Sequence, residues 1–236
     1  MVMVAWSAAM GLLMGVGAAR GQDGRGELIP GWGQVTDPDG DCAVTLDGRK
    51  VVIKVPGKLH DLSPTQGRIN APTVLADIGG DFLAQVKVPG DIHPKGESKR
   101  AGKPATSGAG LLVWQDDQHY LRLERTAYCR EKTLITEVNF QLRKGEGRPM
   151  NLAYRIPAGT CYLRLHRWKG KLYALVSPNG ITWDDSIPPQ SDPFASSIKV
   201  GVVAVNSDSQ PFAAQLEELR VKKGEAPPSG RHASAR

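Results

Sequence analysis

Two short strings carry the side chains best suited to chemistry: residues 120–125, Tyr-Leu-Arg-Leu-Glu-Arg, and residues 162–167, Tyr-Leu-Arg-Leu-His-Arg. In extended chain the leucines of each string point one way and the Tyr and Arg the other. A phenol ring beside a guanidinium suits a sugar: the aromatic plane meets the apolar ring face, and the cation bonds hydroxyls. The candidate ligand-contacting residues are therefore Tyr120, Tyr162 and Tyr173 for stacking, with Gln115, Arg122, Arg164 and His166 for hydrogen bonding. Both strings are expected on strands of one sheet, turned toward a common hollow.

Other chemistries are less well supplied. Glycoside hydrolysis needs two carboxylates held across the scissile bond. Glu124 and Glu137 are the acids at outward positions of these strands, and neither has an evident partner in sequence. This favours binding over turnover, with a glycan-active hydrolase or a cell-surface protein-interaction module as the alternatives. No nucleophile elbow, phosphate loop, zinc spacing or Cys–His arrangement is found. No cofactor is expected, although Asp37, Asp39 and Asp41 alternate in a turn and raise calcium; the spacing is not that of an EF-hand, whose twelfth position here would be Gly48. His60 and Asp61 are adjacent, so their side chains diverge in extended chain and imply no catalytic pair. The Ser-Pro-Asn-Gly-Ile-Thr-Trp run at 177–183 reads as an Asn-Gly turn.

The elements that would position these residues are strands. Lys169-Gly170 suits a two-residue hairpin loop, which sets Trp168 opposite Lys171, His166 opposite Tyr173 and Leu163 opposite Val176. Leu163, Leu165, Leu172, Ala174 and Val176 then share a core face. An even-length loop in the 110–125 hairpin would group Leu112, Trp114, Leu121 and Leu123, leaving Val113, Gln115, Tyr120 and Arg122 outward. Residues 133–142 alternate without a slip, placing Asn139 and Gln141 outward beside Glu137. Val200, Val202 and Ala204 alternate with other apolar residues, as in a central strand. The long connection at 58–72 has the length of a functional loop, and 89–108 is expected to be the least ordered part of the domain.

With 27 Gly, 17 Pro and period-two alternation across 236 residues, the chain reads as an all-β, two-sheet antiparallel sandwich of about a dozen strands. The 40% hydrophobic and 23% charged fractions are those of a globular protein. The net charge of +6 is scattered; its densest group, Lys95, Lys99, Arg100 and Lys103, lacks interleaved aromatics, which argues against nucleic acid. Residues 1–21 read as a signal peptide or N-terminal anchor, with Ala19-Arg20-Gly21 as the cleavage site and no Lys or Arg before the apolar run. A secreted or periplasmic location follows, with membrane contact only if that segment is uncleaved. Residues 22–223 form the β-sandwich domain and 224–236 a disordered tail. Cys42, Cys129 and Cys161 are an odd set, read as buried thiols or as holding a Cys129–Cys161 bridge.

The hairpin Gly-Leu-Leu-Val-Trp-Gln-Asp-Asp-Gln-His-Tyr-Leu-Arg-Leu-Glu-Arg and the closing run 200–221 resemble concanavalin A-like jelly-roll domains. In particular they are similar to the family of unknown function that includes "regulation of enolase" proteins, and to the C-terminal sandwich of family 43 β-xylosidases. The resemblance implies a curved sandwich whose concave sheet contacts glycan, with Tyr120, Arg122, Tyr162 and Arg164 at the matching positions.

Overall fold

The alternation seen in sequence becomes strands because each apolar face needs a partner to exclude water. The computed structural model describes residues 26–227; the 1–21 segment and most of the tail lie outside them. Seventeen strands follow in chain order: β1 (Leu28–Ile29), β2 (Gly33–Thr36), β3 (Ala43–Asp47), β4 (Lys50–Val55), β5 (Leu62–Ser63), β6 (Arg68–Ile69), β7 (Thr73–Gly79), β8 (Phe82–Val88) and β9 (Thr106–Asp116). They continue with β10 (His119–Arg130), β11 (Thr133–Lys144), β12 (Met150–Arg155), β13 (Cys161–Trp168), β14 (Lys171–Ser177), β15 (Gln190–Ser191), β16 (Ser197–Asn206) and β17 (Phe212–Lys223). An eight-stranded sheet runs β1-β2-β7-β16-β9-β10-β11-β12, and a seven-stranded sheet runs β15-β14-β13-β8-β17-β4-β3. Strands β5 and β6 pair separately. This is the expected all-β sandwich.

The core lies between the two large sheets. Val74, Leu111, Val113, Leu121, Leu123, Val200 and Val202 come from one side; Val51, Ile53, Phe82, Val86, Leu163, Leu165 and Leu216 come from the other. Each such side chain contributes about 1.5–3 kcal/mol of burial free energy. Gly110 shows how tightly the layers close: a Cβ there would stand 2.1 Å from the Leu123 carbonyl oxygen and 2.9 Å from Leu163 Cδ1.

The β13–β14 hairpin has the expected register, His166 opposite Tyr173 and Leu163 opposite Val176. Lys169 and Gly170 both have positive φ, 46° and 71°, the backbone of a type I′ turn whose twist matches its strands. The β9–β10 hairpin departs from expectation. A register shift beside Tyr120 pairs His119 with Asp116 but Tyr120 with Trp114, leaving Gln115 as an extra residue. That bulge reverses the parity of β9. Leu111 and Val113 face the core with Leu121 and Leu123, while Leu112 and Trp114 turn outward with Tyr120 and Arg122.

The expected common sheet is not found. The two Tyr-Leu-Arg-Leu strings are not on one sheet: β10 lies in the eight-stranded sheet and β13 in the seven-stranded one. Both turn their leucines into the shared core, so Tyr120 and Arg122 leave it in the opposite direction from Tyr162 and Arg164. The sets face away from each other and enclose no common hollow.

The 56–72 connection crosses the outer face of the eight-stranded sheet. Leu62 and Ala71 pack there on Leu75, Leu112, Tyr120, Val203 and Val205, forming a small second apolar cluster. The 89–108 segment, expected to be the least ordered, runs into β9 from Thr106, and its 89–105 part is pinned by backbone amides. Lys95 N–H and Gly96 N–H donate to Asp208 Oδ2 at 2.7 and 3.1 Å, and Lys99 N–H donates to the Ser207 carbonyl at 2.7 Å. All three cysteines are free thiols, Cys129 exposed and Cys161 buried. Among the described residues no helix is long and apolar enough to cross a membrane.

Candidate functional site

Antiparallel pairing of β10 and β11 sets Arg122 opposite Gln141 and Glu124 opposite Asn139. Because inward positions alternate with these, all four project from the outer face of the eight-stranded sheet. The two long connections supply the walls. Asp61 is fixed by reciprocal bonds with Asn70: its N–H donates to Asn70 Oδ1 at 3.1 Å, and its carbonyl accepts from Asn70 N–H at 3.1 Å. Arg100 comes from the pinned 89–105 segment, its N–H donating to Ser98 Oγ at 3.1 Å. Together with Asn151 they line a cavity of about 250 Å³.

The charges inside are unequally satisfied. Arg122 donates from Nη1 to Asp61 Oδ1 at 2.8 Å, and the Arg100 guanidinium lies against Asp61 Oδ2. Asp61 therefore carries two cations. Glu124 is 2% exposed; its Oε2 lies 3.6 Å from Arg122 Nε, beyond hydrogen-bond distance, and its Oε1 has no partner. Burial pushes the Glu124 carboxyl up, against the opposing pull of Arg122 and Arg100. Burial and the neighbouring Arg122 pull the Arg100 guanidinium down. The cavity thus presents a carboxyl whose charged form burial disfavours, beside amides and a guanidinium.

The seven sequence-derived candidates divide among three places. Arg122 is in the cavity. Tyr120 is on the same face but sealed, 1% exposed. Its ring stacks on Trp114 at 5.7 Å between centroids, and its hydroxyl lies 3.0 Å from the Leu62 carbonyl and 2.9 Å from Gln141 Oε1. Gln115, displaced by the bulge, accepts at Oε1 from Ala195 N–H at 2.8 Å. Tyr162, Arg164, His166 and Tyr173 occupy the outer face of the seven-stranded sheet.

That second face is closed by the protein itself. Arg164 donates through Nε and Nη2 to Gln85 Oε1 at 3.0 and 2.6 Å, and its guanidinium carbon sits 3.6 Å over the Trp183 ring. Gly180, in the same loop as Trp183, has φ +74°, and a Cβ there would stand 3.2 Å from the Tyr162 ring. Ser177 and Asn179 fix the loop: Ser177 Oγ accepts from Gly180 N–H at 2.8 Å, and Asn179 Oδ1 accepts from Thr182 N–H at 2.9 Å. Burial, with Arg164 adding, pulls His166 down to about 4, so it stands neutral.

Among the acids and arginines lining the cavity, Asp61, Arg100 and Glu124 are those that the sequence does not single out as ligand contacts. Glu124 carries a readable signal, an acid at an outward position between two arginines. Asp61 and Arg100 carry none, because loops distant in sequence bring them to the site. The expected divergence of His60 from Asp61 is seen: His60 turns to Asp41 and Asp61 to Arg122. The three carboxylates raised for calcium have side-chain or backbone partners. Asp37 Oδ2 accepts from Cys42 N–H, Asp39 Oδ2 from Asn70 Nδ2, and Asp41 Oδ2 from Lys58 Nζ.

Comparison with known proteins locates the fold. The sequence matches no family model and no curated protein. Among solved structures, a functionally unknown protein from Saccharomyces cerevisiae is similar at TM-score 0.59 and 19% identity, over 81% of this chain and 96% of that one. A xylan β-1,4-xylosidase from Bacillus halodurans is similar at 0.52 and 14%, over 80% of this chain and 39% of that one. A GH43 protein from Bacillus licheniformis is similar at 0.52 and 16%, over 75% of this chain and 37% of that one. The chain thus spans well under half the length of those two Bacillus proteins, and at these identities the likeness is one of fold. The architecture is the jelly-roll sandwich that the hairpin sequence resembles; membership of the "regulation of enolase" family is not established by these matches.

Proposed function

We propose that the protein is a carbohydrate-binding sandwich that takes a saccharide into the cavity over β10 and β11. The observation that carries this reading is Glu124: a buried carboxyl with an unfilled oxygen, set among Asn139, Gln141, Asn151 and Arg122. Buried polar groups ordinarily have partners; sugar hydroxyls, which donate and accept, would complete this set. A volume of about 250 Å³ is below the usual range of about 300–1,000 Å³ for drug-sized ligands, which suits one sugar residue entering end-on. No Phe, Tyr or Trp is among the residues lining the cavity, so hydrogen bonds hold the sugar, and stacking on tyrosine plays no part. Support of a weaker kind comes from the sandwich shared with a xylosidase and a GH43 protein. Export of the mature chain belongs to the same reading, rests on residues 1–21, and is checked by N-terminal sequencing of the secreted product.

A glycan array probed with the full chain tests binding. Signal on a defined saccharide class should fall at least about tenfold for Asn139→Ala and Arg122→Lys, since each removes a bond made in a desolvated pocket. Equal signal from wild type and both variants would overturn the assignment. One observation favours a second reading, glycoside hydrolysis: Glu124 and the carboxylate of Asp61 flank the same Arg122 guanidinium, an acid and a carboxylate of the kind that reaction needs. Release of reducing ends from an array-positive glycan, lost in Glu124→Gln, would establish it; binding without release would remove it.

A further inference from the structure

A different cluster adjoins the cavity, sharing His60 with its lining, where the 37–42 turn meets the connection leaving β4. His60 is locked there by two backbone bonds, its N–H to the Asn206 carbonyl at 2.8 Å and its carbonyl from Asn206 N–H at 3.0 Å. Its imidazole is fully buried. Nε2 faces Asp41 Oδ1 at 2.8 Å and Asp39 Oδ2 at 3.8 Å, while Nδ1 lies 3.4 Å from the Lys58 carbonyl. Cys42 Sγ is 3.7 Å from Asp41 Oδ1. One ligand atom from each of Asp41, Cys42 and His60 lies within 4.8 Å of the others. A four-coordinate zinc sphere, with bonds of about 2.0–2.3 Å, sets its ligand atoms roughly 3.3–3.7 Å apart, so shifts of about an ångström would close this set around an ion.

Two further observations point to a cation. Nδ1 facing a backbone carbonyl is the arrangement that fixes an imidazole to ligate through Nε2. If Nδ1 carries the proton, the Nε2 lone pair faces a carboxylate oxygen, and a positive charge between them relieves the repulsion. The second is Asp37, 3% exposed, whose Oδ1 has no partner although its Oδ2 accepts from Cys42 N–H at 2.8 Å. A buried carboxylate without a cation is costly. The counter-charge on this side is Lys58, whose side chain is 68% exposed and bonds only the far oxygen of Asp41, Oδ2 at 2.8 Å. Asp39 and Asp41 thus share one lysine and one imidazole, and Asp37 has Cys42 N–H as its recorded partner.

We propose that Asp41, Cys42 and His60, with Asp39 as the fourth ligand, bind a divalent transition-metal ion of the zinc type. Thiol and imidazole ligands select such an ion over calcium, which takes six to eight oxygens. The ion would fasten the 37–42 turn to His60, and through the chain to Asp61, which holds Arg122 in the cavity. The site shares His60 with the cavity lining, but metal binding is read without any saccharide.

The test is a Co²⁺ titration of the full chain under reducing conditions. The expected result is one equivalent bound, with visible d–d absorption and a near-ultraviolet thiolate-to-cobalt band, both abolished by added Zn²⁺. Cys42→Ser should lose the near-ultraviolet band and at least about tenfold in affinity, since the thiolate is a direct ligand. Cys129→Ser, which changes an exposed thiol elsewhere, should match wild type. Cys42 is part-exposed, so far-ultraviolet circular dichroism of Cys42→Ser is expected to report an intact fold. Absence of binding below millimolar Co²⁺ would overturn the proposal, as would a thiolate band that survives in Cys42→Ser or disappears in Cys129→Ser.

Discussion

The outer faces of the two sheets start from the same string of residues and end in different states. On the seven-stranded sheet, Arg164 is satisfied by Gln85 and covered by Trp183, and Tyr162 lies against Gly180. On the eight-stranded sheet, Arg122 is paired with Asp61, yet Glu124 beside it keeps an unfilled oxygen in an open cavity. Both faces are polar and both carry Tyr and Arg. Each face keeps a buried polar group without a partner, the two ring nitrogens of His166 on one and Glu124 Oε1 on the other; the difference is that Glu124 lines a cavity with Arg122 and Arg100. A polar face is a candidate site where such a group lines a cavity, and residue type alone does not reveal it.

Four substitutions would break or sharpen this contrast. The largest effect is expected from Asp61→Ala, which strands Arg122, a nearly buried cation, and leaves Arg100 unpaired as well; removing one partner of such a pair costs about 3–5 kcal/mol. Equilibrium denaturation at neutral pH would measure it, and a loss below about 1 kcal/mol would show that the pair is not desolvated.

The next concerns His166. Its folded value of about 4 lies below the ordinary 6.5, so the unfolded chain binds the proton more readily and stability rises with pH across that window. The stabilisation is fully present above about 6.5 and is lost as pH falls toward 4, amounting to about 2–3 kcal/mol. Denaturation midpoints at pH 7 and pH 4.5, compared between wild type and His166→Phe, should show the smaller acid loss in the variant.

Glu124 has the opposite sign. Its folded carboxyl titrates higher than in the unfolded chain, so it destabilises the fold once pH rises above the unfolded value, and the cost disappears at acid pH. Glu124→Gln is therefore expected to raise stability at pH 8 by about 1 kcal/mol, with a gain that shrinks toward pH 4. The same variant should weaken saccharide binding. Stabilisation with loss of binding is the mark of a group held for a ligand.

The smallest effect is expected from Arg164→Ala. It removes a partly exposed stack on Trp183 and a bond to Gln85, together about 1 kcal/mol, and should leave saccharide binding unchanged.

Much of this architecture is readable in sequence where a local rule fixes the geometry. The Lys169-Gly170 loop determines the register of β13 and β14 to the residue, because a two-residue turn allows no slip. The alternation through 133–142 places Asn139 and Gln141 correctly for the same reason. Gln115 shows the limit: one extra residue in a bulge inverts every assignment on β9, and no residue type in that hairpin announces it. The repeated Tyr-Leu-Arg-Leu string misleads in another way. Strands on opposite sides of one core share a pattern because both must turn leucine inward, so likeness of pattern does not imply a shared surface. Asp61 and Arg100 reach the cavity from connections of 56–72 and 89–105, held by Asn70, Ser207 and Asp208. Such contacts depend on the finished sheet order, which no single window of sequence contains.

The contrast between the faces can be read in one experiment: backbone amide chemical shifts of the full chain during titration with an array-selected saccharide. Saturable shifts are expected to cluster at residues 122–126, 137–141 and 60–61, with 162–166 and 173–183 unmoved. Shifts confined to 162–183, with the β10–β11 amides silent, would contradict it.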